Sequence, residues 1–251
     1  MTQAGTQDDA PGGAQGASEQ DDLQPRDTAQ VVVAVDGPSG SGKSTVSKEV
    51  ARRLHLGYLD TGAMYRAVAW WALDQQVDLE DPDAVVEAAR SAPIKISIDP
   101  DHQRVTVGGT DVTAAIRTPE VTSVVSSVST VVPAREVLVA RQRRIIADSG
   151  RRIVAEGRDI TTVVAPDAEV RVLLTASERA RLNRRGAQLG HTQSAAQLQA
   201  QVIGRDARDS TVVDFTSAAE GVIALDSSEL TVEQSVTAVL DLVLRAVPGI
   251  A

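Results

Sequence analysis

Residues 31–45 read VVVAVDGPSGSGKST. Residues 31–35, four Val around one Ala, have the apolar, mostly β-branched character of a buried strand. Asp36 and a glycine-rich turn follow, and Lys43, Ser44 and Thr45 then open a helical pattern. Gly37, Gly42, Lys43 and Ser44 occupy the fixed positions of G-x-x-x-x-G-K-[ST], the phosphate-binding loop. Gly37, Gly40 and Gly42 admit backbone angles that a Cβ blocks. Successive N–H groups can therefore turn inward and cradle a phosphate at the N-terminus of the next helix. Lys43 supplies a point charge to the β- and γ-phosphates, and the Ser44 hydroxyl can ligate Mg²⁺. Read alone, the stretch implies a nucleoside triphosphate and Mg²⁺, and no particular reaction.

The bulk composition narrows the setting. A length of 251 residues suits one α/β domain with an inserted subdomain. Hydrophobic residues make up 42% and aromatic ones only 2%, so the core is expected to be built from Val, Ile, Leu and Ala. A net charge of −9 argues against nucleic-acid or anionic-membrane partners. With no cysteine there is no disulfide, thiolate zinc site or cysteine nucleophile. His55, His102 and His191 lie too far apart to suggest a metal site. No run of 18 apolar residues occurs and the N-terminus lacks the pattern of a secretory signal, so a cytoplasmic protein is expected. Lys occurs only at 43, 48 and 95. The remaining cations are Arg, whose planar forks suit phosphate.

Residues 1–29 carry Asp8, Asp9, Glu19, Asp21, Asp22 and Asp27 against Arg26, with few large apolar residues. Such a segment cannot bury enough surface to offset its ordering entropy, and a disordered acidic tail is expected. Beyond it, residues 30–251 form the expected domain. Strands are read at 31–35, 58–60, 152–155 and 170–174, with 222–225 as the last core strand. Helices are read at 43–54, 63–75, 78–89, 119–130, 134–148, 177–187, 194–210 and 231–246, the last with Val232, Val236, Val239, Leu240 and Val243 facing inward. Alternation of strands with helices gives an α/β fold, a parallel sheet covered on both faces. Residues 93–117 break that rhythm. Short period-two runs at 94–98, 104–107 and 110–112, separated by turn residues, read as an antiparallel β insert.

Four stretches beyond the loop carry chemistry. LDTGAMYR, residues 59–66, follows the second strand, and parallel sheets place ligands at the carboxyl ends of their strands. Thr61 and Arg66 there suit a second anion facing the loop. AEGRD, residues 155–159, follows the third strand; Arg158 offers a phosphate fork and Asp159 an acceptor for a base amino group. Arg179, Arg181, Arg184 and Arg185 lie within seven positions, and the last three crowd one helical side. They read as a cationic lid over a triphosphate or as a solvated face. RDARDST, residues 205–211, puts Arg205, Arg208 and Asp209 on neighbouring helical positions, and an exposed, ion-paired helix end is its simplest reading.

GPSGSGKST, YLDTGAMYRA, IRTPEV, VPAR, EGRDITTVV and RDARDST stand in this order along the chain. Together they resemble the bacterial cytidylate kinases, nucleoside monophosphate kinases of the P-loop superfamily, over residues 31–245. The resemblance implies a three-layer P-loop fold with a five-stranded parallel sheet, an acceptor-side β insert at 93–117 and a helical lid near 177–210. It also implies transfer of the ATP γ-phosphoryl group to CMP or dCMP with Mg²⁺. ATP would be held by Gly37, Pro38, Ser39, Gly40, Ser41, Gly42, Lys43, Ser44 and Thr45, and the metal by Ser44. Arg66 and Arg158 would bind the acceptor phosphate beside Thr61, and Asp159 would bind the cytosine amino group. Ser126 and Arg135 resemble the family's base-recognising pair, and Arg205 and Asp209 its sugar contacts. Lys43, Arg158, Arg181, Arg184 and Arg185 would support the transfer.

Two positions depart from the family pattern. Val212 stands where many members have Arg after RDxxDST, and Thr161 where Gly commonly follows GRDI. The attacking CMP phosphate oxygen is already anionic near neutral pH, so no general base is needed and the task is electrostatic positioning. A monomeric enzyme with small-molecule partners is expected. Rivals are a kinase for another monophosphate such as UMP, and a nucleotide-dependent switch or ATPase with no acceptor. No guanine-reading N/T-K-x-D motif occurs.

Overall fold

The computed structural model describes residues 29–188, 194, 196 and 199–250. The tail expected over 1–29 lies outside these residues except for Ala29, and so does part of the lid expected over 177–210. The chain begins with β1 (Val31–Asp36), α1 (Lys43–Arg53), β2 (Gly57–Asp60), α2 (Thr61–Asp74) and α3 (Pro82–Ser91). A small antiparallel sheet follows: β3 (Ile94–Ile96), β4 (Val105–Val107) and β5 (Thr110–Asp111). Then come α4 (Pro119–Ser129), α5 (Val132–Asp148), β6 (Arg152–Gly157), a π-helical turn (Ile160–Val164) and β7 (Val170–Thr175). The last part holds α6 (Glu178–Gln188), a second π-helical turn (Ala200–Gly204), α7 (Arg205–Asp209), β8 (Ile223–Asp226) and α8 (Val232–Ala246).

Five strands form one parallel sheet in the order β2–β6–β1–β7–β8. β1 is central and covered on both faces, and strand alternation sends Val31–Val35 by turns to each apolar layer. Val31, Val33 and Val35 point to the layer of α1 and α8, where Val46, Val50, Val236, Val239 and Val243 meet them. Val32 and Ala34 point to the opposite layer, with Met64, Val68, Val125, Leu138 and Ile146. Both layers are Val-, Leu-, Ile- and Ala-rich, as an aromatic-poor chain demands. The β insert leans on α2 through Val105, Val107, Val112 and Ile116 against Ala63 and Ala67. It thus fixes the helix whose first turn carries Thr61 and Arg66.

Several expectations need correction. β8 is an edge strand rather than a core strand: it pairs only with β7, and Ile223 is 45% exposed. Val232 does not face inward, because the first residue of α8 points outward and is 54% exposed. The third helix starts at Pro82, not 78, because Asp78 accepts the Glu80 N–H in a turn and Asp81 then caps the helix at Asp83. Among the described residues of 194–210, Ala196 and Gln199 are helical, a π-helical turn spans Ala200–Gly204, and regular helix resumes in α7.

The π-helical turn after β6 has a definite cause. Asp36, buried at the end of β1, accepts the N–H groups of Ile160 and Thr161 at 2.9 and 2.8 Å and the Thr161 hydroxyl at 2.6 Å. Thr161, a departure from the family pattern, therefore adds a donor that glycine lacks. Burial pushes the Asp36 carboxyl above its ordinary value, with the Thr161 and Ile160 hydrogen bonds opposing that rise. Asp36→Ala leaves buried donors unpaired, with an expected loss of about 3 kcal/mol in stability. Denaturant unfolding measures it, and an unchanged midpoint would contradict this role for Asp36.

Candidate functional site

The loop between β1 and α1 is shaped by what lies against it. A Cβ on Gly37 would come within 2.2 Å of the Leu174 carbonyl oxygen of β7. Gly40 has φ +79°, and its Cβ would lie 2.8 Å from the Arg181 carbonyl oxygen of α6. Both positions thus admit glycine alone. Gly42 precedes α1 with φ +94° and gives the helix no side-chain cap, so the first-turn N–H groups remain for a ligand.

A cleft opens at the carboxyl ends of β1, β2 and β6. Its walls include Ser39, Gly40, Gly42, Lys43, Ser44 and Thr45 from the loop side, and Thr61, Tyr65, Arg66 and Arg117 from the side of α2 and the insert. Ser129, Arg135, Glu156, Arg158, Asp159, Arg185 and Asp209 also line it. Gly37, Pro38 and Ser41 lie behind this wall, in the backbone that shapes the loop.

On the loop side the organising group is Glu156, at the end of β6. Its carboxylate accepts the Ser44 hydroxyl at 2.6 Å and the Tyr58 hydroxyl at 3.1 Å, and lies 3.8 Å from the Lys43 ammonium. Burial pushes the Glu156 carboxyl above its ordinary value, with the Lys43 charge opposing it. The same burial, with Glu156 close by, pushes the Tyr58 hydroxyl up and keeps it a donor. Sequence reading quoted Glu156 inside AEGRD but gave it no role. It comes into play only when β6 pairs beside β1 and places it across from a serine 112 positions away.

On the opposite side, Thr61 donates to the Glu156 carbonyl oxygen at 2.8 Å, fastening the start of α2 to β6. Arg66 reaches Thr122 at 2.7 Å and the Ile116 carbonyl oxygen at 3.3 Å. Arg135 holds Asp159 by a short ion pair, donates to the Ser129 carbonyl oxygen at 2.9 Å, and lies 5.6 Å from the centre of the Tyr65 ring. Ser126 is buried and outside the cleft wall; Ser129, nearly one turn on, faces Asp209 at 2.9 Å. Arg117 went unassigned although it lies in the quoted IRTPEV stretch. It lines the cleft and pairs with Asp60 at 3.0 Å.

Arg158 is held from several sides. Asp206 and Asp209 each hold it at 2.8 Å, Ser39 accepts from it at 3.0 Å, and it stacks 4.4 Å from the centre of the Phe215 ring. RDARDST is exposed at Ala207, Arg208, Ser210 and Thr211, but its acids Asp206 and Asp209 turn inward and are buried, because their partners lie on other elements. The Arg205 side chain lies outside the described residues. Val212 sits in the turn after α7 and does not line the cleft.

The three arginines of α6 diverge. Arg181 pairs with Asp206 and the Ser39 carbonyl oxygen. Arg184 donates to the Ser41 carbonyl oxygen and the Ser227 hydroxyl, each at 3.0 Å, and braces the loop from behind. Arg185 lines the cleft, and burial followed by the charge of Arg117 pushes its guanidinium below the ordinary value. Only Arg185 is aimed as a cationic lid requires.

The family model described as "Cytidylate kinase" matches residues 33–245. A protein of Cutibacterium acnes named cytidylate kinase is 48% identical over 217 residues, covering 86% of this chain and 97% of that one. A Rhodococcus opacus protein of the same name is 48% identical over 210 residues, covering 82% and 91%. One from Streptomyces avermitilis is 44% identical over 219 residues, covering 87% and 94%.

The raised Glu156 carboxyl sets a pH dependence. Because the folded protein binds this proton more tightly than the unfolded chain, the Glu156 charge lowers stability as pH rises above about 4.5, the unperturbed value. Glu156→Gln is expected to raise the melting temperature at neutral pH, and the gain is expected to vanish below that pH. Melting curves across pH test both, and a variant less stable at pH 7 would refute the sign.

Proposed function

The chain belongs to the cytidylate kinase family, and we infer from its cleft how it carries out that family's reaction. ATP gives up its γ-phosphoryl group to CMP or dCMP, yielding ADP and CDP or dCDP, a step of pyrimidine nucleotide metabolism. The observation that carries this reading is the pairing of two phosphate-ready walls across one cleft. The loop and the start of α1 form one wall, and Arg66, Arg117 and Arg158 stand on the other.

In this reading the residues from Gly37 to Thr45 hold the triphosphate, with backbone N–H groups and the Lys43 ammonium on its oxygens. Arg66 and Arg158 take the acceptor phosphate, and Thr61 anchors the turn beside them. Asp159 accepts from the cytosine amino group and is oriented by Arg135. Ser126 supports that base site from behind, through the helix that presents Ser129. Asp209, on the cleft wall, takes the sugar, and the family motif adds Arg205 to that role. Arg185, with Arg181 and Arg184 behind it, adds positive charge where the transferred group passes. Arg117 is a further candidate for the acceptor contact that Val212 does not provide.

Ser44 and Glu156 fit Mg²⁺ by donor chemistry: a hydroxyl and a carboxylate, both hard oxygens, meet at the triphosphate end of the cleft. Among the described residues, no group of three or more His, Cys, Asp or Glu is placed to hold a metal. Mg²⁺ suits such a sparse site, since it completes its shell with water and phosphate oxygens. When bound, it supplies positive charge to the β- and γ-oxygens. The chain's own residues align the two substrates, spread positive charge over the transferred group and displace water from it.

Among the described residues no single helix is long and apolar enough to cross a membrane. We propose that the chain acts as a monomer, since one copy contributes both walls; light scattering of the purified protein tests this.

Release of ADP from ATP with CMP, dCMP, UMP or AMP tests the acceptor assignment directly. CMP and dCMP are expected to lead, and equal stimulation by AMP would overturn it. Lys43→Ala is expected to cut turnover by at least about 10²-fold with folding intact. Near-normal transfer by that variant would remove Lys43 from the mechanism. Asp159→Ala is expected to weaken CMP binding by about 10-fold or more while ATP binding changes little. Equal losses for the two nucleotides would show that Asp159 does not read the base.

A further inference from the structure

Asp206 has no role in the account above, yet it touches all three parts of the machinery. Its carboxylate accepts the backbone N–H of Ser39 in the loop, at 3.2 and 3.3 Å from its two oxygens. It holds Arg158 of the acceptor wall at 2.8 Å and pairs closely with Arg181 of α6. The side chain is only 12% exposed, so these bonds operate with little screening. Two guanidinium groups meeting at one point repel each other, and the carboxylate between them is what lets them meet. Each also keeps a buried N–H without a partner, Nη1 on Arg158 and Nε on Arg181, so neither fork is saturated.

We propose that Asp206 is a positioning residue that couples the two nucleotide sites. The proposal rests on the reading that the loop takes the triphosphate and Arg158 the acceptor phosphate. A triphosphate seated on the loop orders Ser39 and draws on Arg181. A monophosphate orders Arg158. Because one carboxylate holds all three, ordering by either ligand removes part of the ordering cost for the other, which is positive cooperativity between the sites. Asp209 cannot serve in its place, because it ties Arg158 to Ser129 on the acceptor side alone.

The test is calorimetric titration of a non-hydrolysable ATP analogue with Mg²⁺, with and without saturating CMP. In the unaltered protein CMP is expected to tighten the analogue by about fivefold or more. In Asp206→Asn, which keeps shape and removes charge, that ratio is expected to fall to about one while CMP alone still binds. Asp206→Glu is expected to restore part of it. Melting curves verify folding, and should Asp206→Asn not fold, Arg181→Gln is expected to lower the ratio in the same way. A full ratio in a folded variant, or a ratio of one in the unaltered protein, overturns the coupling role. An unaltered protein that binds the analogue and no CMP instead overturns the acceptor assignment beneath it.

Discussion

Cations gathered in one cleft repel one another, and the cleft depends on the carboxylates that hold them in place. Lys43 lies by Glu156, Arg117 by Asp60, Arg135 by Asp159, and Arg158 by Asp206 and Asp209. Three of these acids, Asp60, Glu156 and Asp159, sit at or just beyond the ends of adjacent parallel strands, so the sheet itself sets the spacing of the charges. Removing the carboxylate beside Arg135 or Arg158 leaves a buried guanidinium uncompensated, which costs far more than an exposed ion pair contributes. The electrostatics of the site is thus inseparable from the register of β1, β2 and β6.

The parts of this arrangement that follow from local chemistry were legible in the sequence. β1, its glycine loop and α1 are specified by a contiguous run, and Val46, Val50 and Leu54 announce the buried face of α1 by spacing alone. The β insert shows in the change of period near residue 94. Arg66, Arg135, Arg158 and Asp159 were assigned through family motifs, and the fold brings them to one cleft. What stayed hidden depends on partners far along the chain. Asp206 sits 48 positions from Arg158, and Asp36 lies 125 from Thr161. Spacing within RDARDST points to local helical pairs and gives no sign that its acids turn inward.

The arginines of α6 show the same limit from another side. Helical spacing groups Arg181, Arg184 and Arg185, but only tertiary contacts reveal that Arg184 grips the loop's backbone while Arg185 faces the cleft. β8 misled for a related reason. Apolar composition marks a strand, yet it does not say whether both neighbours are present, and an edge strand keeps one side open.

Phe215 is the chain's only phenylalanine, and it is buried beneath Arg158. A flat cation resting on a flat ring is fixed in height and tilt, yet it keeps one easy motion, a swivel within its own plane. If Arg158 takes the acceptor phosphate as proposed, it can trade a carboxylate oxygen for a phosphate oxygen while keeping its contact with the ring. An exchange of partners that elsewhere would demand a rotamer change becomes a turn of the wrist.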